Sequence, residues 1–96
     1  MAKTNEEEEK IYQACWKAWK DLQYVMLFEE MAELTKTLTK SLRGKGIDSN
    51  IREEIADVQI MLDQMKVRYG AVYCEDMRQK KLESLKELLI AKGVKL

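Results

Sequence analysis

The sequence contains no proline and no histidine. Without proline, nothing removes a backbone donor inside a helix, and with only four glycines the chain has few places where a helix must stop. Without histidine, a mixed Cys/His zinc site, a Ser/His or Cys/His dyad and imidazole acid–base chemistry are all excluded. The two cysteines, Cys15 and Cys74, lie far apart and form no CxxC pair, so they read as reduced thiols in a core. Net charge is also missing, because 17 basic side chains balance 17 acidic ones. No overall positive field is left to hold a phosphate backbone, which argues against a polynucleotide partner. Long hydrophobic runs are absent too. No stretch reaches the ~20 apolar residues that cross a bilayer, and residues 5–10 carry charge where a signal peptide needs an apolar segment. A cytoplasmic protein without membrane contact is expected.

What is present is a mixture of 46% hydrophobic and 35% charged residues, suited to long amphipathic helices. The expected class is all-α, one domain over residues 1–96. A chain this short buries a smaller share of its surface than a larger domain, so completion of the core by oligomerisation is expected. Gly44, Gly70 and Gly93 each follow a basic residue in the last turn of a helical pattern, where a C′ glycine belongs. Asn50 followed by Glu53 reads as a capping box, with asparagine as the cap. The spacing predicts a four-helix bundle with helices over 5–19, 21–43, 51–69 and 72–92. The first two can also run as one.

Two acidic strings carry the chemistry: Glu29-Glu30-Met31-Ala32-Glu33 and Glu53-Glu54-Ile55-Ala56-Asp57. At about 100° per residue, Ile51, Ile55, Val58, Leu62, Met65 and Tyr69 form the core stripe of the third helix. Glu54 and Asp57 fall at one edge of that stripe, with Met61 extending their row. In the second helix, Leu27, Met31, Leu34 and Leu38 form the stripe, with Glu30 and Glu33 at the matching edge. Glu29 and Glu53 fall further round, toward solvent. If the helices pack antiparallel, the four carboxylates converge. Two carboxylates about 6 Å apart repel by roughly 3 kcal/mol at an effective dielectric near 20, so such a set calls for protons, basic partners or a divalent cation. An all-oxygen site points to Mg²⁺, with Mn²⁺ as the substitute, and magnesium favours phosphate oxygens as further ligands.

An EExxE string followed after a spacer by ExxD resembles the signature of the all-α nucleoside triphosphate pyrophosphohydrolases, which include MazG-like proteins, dimeric dUTPases and phosphoribosyl-ATP pyrophosphohydrolases. The similarity runs from about Gln23 through Arg43-Gly44, residues 53–58 and Tyr69-Gly70 to Lys81-Leu82, and is greatest to short, single-domain MazG-like proteins. The resemblance implies that Glu30, Glu33, Glu54 and Asp57 are magnesium ligands and the catalytic set. It also implies a homodimer or homotetramer that hydrolyses a nucleoside triphosphate between the α- and β-phosphates, with Glu33 or Glu30 activating the water. The other class in view is a non-catalytic helical module that binds nucleotide or protein.

Candidates for substrate contact lie outside the acidic set. Lys81 shares its bearing with Cys74, Met77, Leu85 and Leu88, so its ammonium leaves an apolar face, as a phosphate ligand or a lysine snorkelling at a subunit boundary. Lys40 continues the row of Glu33 and Thr37 and is a second phosphate candidate; Lys36 and Arg43 are weaker ones. Gln23, two turns before Glu30, has an amide suited to a base edge. Trp19, with Trp16, Tyr24 and Phe28, could supply a stacking plane.

Overall fold

The computed structural model describes residues 5–96, which form four helices and no strand: α1 (Asn5–Trp19), α2 (Leu22–Leu42), α3 (Asp48–Tyr69) and α4 (Ala71–Ala91). Two of the expected glycine stops are hydrogen-bonded helix ends. At the end of α2, Gly44 takes φ +74°. Its N–H donates to the Ser41 carbonyl and that of Lys45 to the Lys40 carbonyl, both at 2.9 Å, which is the Schellman pattern. The same pattern closes α4, where the Gly93 and Val94 N–H groups donate to the Ile90 and Leu89 carbonyls. Gly70 joins α3 to α4 at φ +92°, and a Cβ there would stand 2.6 Å from the Tyr73 ring.

The start of α3 corrects the expected capping box. The helix begins at Asp48, after Ile47 in extended conformation, with no side-chain cap. The N–H of Asn50 donates to the Ile47 carbonyl at 3.0 Å, so Asn50 is already inside the first turn. Asp48 contributes an acid where the helix dipole favours one, and the helix gains a turn ahead of Asn50. Between α1 and α2 the chain does bend: Lys20 adopts φ +48°, a left-handed conformation unusual for a residue with a Cβ.

α2 and α3, joined by a five-residue link (43–47), form the main hairpin, and they run antiparallel. Asp21 pairs with Arg68 at one end, while Glu30 lies with Glu54 and Asp57 further along. α1 packs against α3 and the start of α2, and α4 packs on α3 alone.

The side of each helix turned inward differs from the expected stripe. Leu27 is buried and Leu34, Ile51, Val58 and Met65 are half-buried, as anticipated, but Met31, Leu38, Ile55, Leu62 and Tyr69 are exposed. The seam instead follows Gln23, Leu27, Glu30, Leu34 and Thr37 on α2, facing Ile51, Glu54, Asp57, Met61 and Gln64 on α3. Each helix is thus turned toward its acidic edge. Among the described apolar side chains only Leu27 and Met61 are buried, and no residue of α4 is. The chain exposes 8011 Å², against about 5,700 Å² for a compact monomer of its mass.

Candidate metal centre

The heptad geometry of the hairpin builds the site. Glu30 stands on the seam row of α2, one turn beyond Leu27, and Glu54 and Asp57 stand one turn apart on the facing row of α3. Each of the three offers a carboxylate oxygen, and these oxygens all lie within 4.8 Å of one another. All three residues are half-buried, and Glu54 Oε2 is buried without a hydrogen-bond partner. None of them enters an ion pair among the described residues.

Electrostatics follow from that crowding. Burial, then the charges of Asp57, Glu54, Glu33 and Glu29, hold the Glu30 carboxyl above the usual range. Burial, then Asp57, Glu33 and Glu53, do the same at Glu54. Among the described residues the charges acting on Glu54 are all acidic, so none of them relieves the repulsion. A set of hard oxygen donors, one of them buried and unsatisfied, suits Mg²⁺ or Mn²⁺, and lacks the nitrogen and sulfur ligands of a zinc or copper site.

The fourth expected ligand, Glu33, is exposed and stands outside the three-residue set, although its charge acts on both Glu30 and Glu54. Lys40 is exposed on α2. Lys81 is exposed on α4, where Met77, Leu85 and Leu88 beside it are exposed as well and Cys74 is half-buried. Gln23 is fully buried at 0% exposure, its Nε2 donating to the Lys20 carbonyl at 3.4 Å while its Oε1 has no partner. Trp19 is exposed at the end of α1, whereas Trp16 donates its indole N–H to the Gln64 carbonyl at 2.6 Å.

Gln64 was not foreseen. Its side chain is buried, with Oε1 unpartnered. The signal was available, since Gln64 is seven residues beyond Asp57 and therefore continues the row of Asp57 and Met61. Arg68, the basic residue in the last turn before Gly70, binds Asp21 Oδ1 at 2.6 Å and lies 5.1 Å from the Trp16 ring centroid and 5.6 Å from that of Tyr24.

Two open clefts lie elsewhere, where α1, α3 and α4 meet around Tyr12, Asp63 and Lys66, and no expected site residue lines them. Among the described residues, no helix is long and apolar enough to cross a membrane. No family model, curated protein or solved structure matches this chain, so its function has to be argued from the side chains themselves.

Proposed function

We propose that this chain is a magnesium-dependent nucleotide pyrophosphohydrolase that cleaves a nucleoside triphosphate between its α- and β-phosphates, releasing the monophosphate and pyrophosphate in the house-cleaning of nucleotide pools. The observation that carries this reading is the approach of Glu30, Glu54 and Asp57 to within 4.8 Å across two helices, with Glu54 Oε2 buried and unpartnered. Carboxylates so placed are costly unless something neutralises them, and among the described residues no cation is paired with them. The likeness of both acidic strings to those of MazG-like proteins adds the reaction class.

Glu30, Glu54 and Asp57 would hold the cation. When bound, it supplies charge neutralisation for a triphosphate that these carboxylates alone would repel. Glu33, outside the set and solvent-facing, would orient the attacking water and accept its proton. That water attacks phosphorus directly, so no covalent intermediate forms and neither cysteine takes part.

A second copy of the chain completes the site in this reading, as a homodimer or homotetramer. The excess of about 2,300 Å² over a compact monomer is of the order that obligate homodimers bury. Lys81 and Lys40, both exposed, are the proposed phosphate ligands, Lys81 from the uncovered face of α4. Gln23 and Trp19 are the proposed base contacts, and Gln23 requires movement of its surroundings to serve.

The test is incubation with canonical and modified nucleoside triphosphates plus Mg²⁺, with product analysis. Monophosphate and pyrophosphate are expected, reduced ~100-fold or more in Glu54→Gln. Release of single inorganic phosphate would overturn the assigned bond, and nucleotide-dependent thermal stabilisation without turnover would identify a binding module instead.

A further inference from the structure

The bend between α1 and α2 rests on one residue. Asp21 is already in the right-handed helical region at φ −69°, ψ −10°, so Lys20 at φ +48° alone interrupts what would be a continuous helix. A non-glycine residue in that conformation is disfavoured by roughly five- to thirty-fold relative to the right-handed one. Contacts of α1 with the rest of the chain offset this. Tyr12 donates its hydroxyl to Asp63 Oδ2 at 3.3 Å, and Trp16 its indole N–H to the Gln64 carbonyl at 2.6 Å. Arg68 binds Asp21 at 2.6 Å beside the Trp16 and Tyr24 rings, which meet edge to face at 5.9 Å.

Beneath this clamp lie two buried amides. Gln23 is seven residues before Glu30 and Gln64 seven after Asp57, in helices of opposite direction. Both therefore sit two turns, about 10 Å, from the carboxylates and at the same level of the seam. Each has a buried carbonyl oxygen with no hydrogen-bond partner. Gln23 also holds the bend itself, since its backbone N–H and its Nε2 both reach the Lys20 carbonyl, at 3.2 and 3.4 Å. In a continuous helix that carbonyl would accept from the Tyr24 N–H, which here bonds Asp21 at 3.1 Å, and the Gln23 amide would be released.

We infer that α1 is a hinged cover: conversion of Lys20 to the right-handed region lifts α1 from α3, parts Trp16 from the Arg68 guanidinium and opens the Gln23 and Gln64 side-chain carbonyls to a hydrogen-bond donor. This goes beyond the hydrolytic reading and stands without it.

Trp16 and Trp19 are the two tryptophans of the chain and lie on the same helix, the first engaged with α3 and the second exposed. Hydrogen exchange of their indole protons, followed by NMR on the full chain, reports the opening with an internal control. Lys20→Gly removes the penalty on the bend and penalises the continuous helix, so exchange at Trp16 should slow ~10-fold or more. Arg68→Gln should speed it, and Trp19 should change in neither variant. The inference is overturned if Lys20→Gly leaves Trp16 exchange unchanged or faster, or if the Trp16 proton exchanges only together with the slowest backbone amides of α2 and α3. Should Arg68→Gln fail to fold, Lys20→Gly alone decides.

Discussion

At Glu54 a buried, unpartnered carboxylate oxygen faces acids and no base. The sign of its linkage follows directly. Its folded-state pKa, like that of Glu30, lies above the ordinary value of 4.5. The folded chain therefore holds protons that the unfolded chain has lost between that value and the raised ones. Stability of the metal-free protein should fall as pH rises through this window and recover on acidification. Thermal unfolding followed upward in pH from the ordinary value of 4.5 checks this, with Mg²⁺ expected to flatten the dependence by taking the place of the protons. In the same measurement, Glu54→Gln should raise the metal-free Tm at neutral pH while abolishing stabilisation by Mg²⁺. A lower metal-free Tm in that variant would mean that the carboxylate is held by a favourable partner. The convergence of Glu30, Glu54 and Asp57 was legible in sequence, because their bearings placed them at matching edges of two helices. The exposure of Glu33 was not, since a projection gives bearing but not how far each helix is rotated into its neighbour.

Among the elements, the helix ends were read with unequal success for a physical reason. Gly44 and Gly93 announce themselves because only glycine occupies the left-handed C′ position without strain. The start of α3 was misplaced because a side-chain cap at Asn50 competes with a helix that begins a turn earlier on backbone bonds to Ile47. The break between helices at Lys20 was legible, but its left-handed conformation was not, since that is held by contacts with α3, remote in sequence. Gly70 offers a sharp test of local geometry. Gly70→Ala should destabilise by about 1–3 kcal/mol, because φ is +92° and the added Cβ would stand 2.6 Å from the Tyr73 ring. Chemical denaturation measures this, and a neutral substitution would show that the α3–α4 junction relaxes freely.

For the whole molecule, the open shape is the dominant fact. The radius of gyration is 16.6 Å, against about 12.5 Å for a compact domain of this length. Part of the apolar stripes assigned to a core from sequence lies on the surface, Ile55 and Leu62 among it, and Met77 and Leu85 on the apolar face of α4 are exposed as well. Periodicity identifies an apolar face without saying whether the same chain covers it. If a second copy does, Leu85→Glu should shift the protein toward monomer in sedimentation velocity while retaining helical content. Loss of helix without any change in association would instead place Leu85 in the fold of the single chain. The proposed function depends on three carboxylates of one hairpin sharing a hard cation. Titration with Mn²⁺ followed by electron paramagnetic resonance tests that directly. The native chain should deplete the free-ion signal, and Asp57→Asn should weaken binding at least ~10-fold. Equal binding by the native chain and the variant, or none by either, would contradict it.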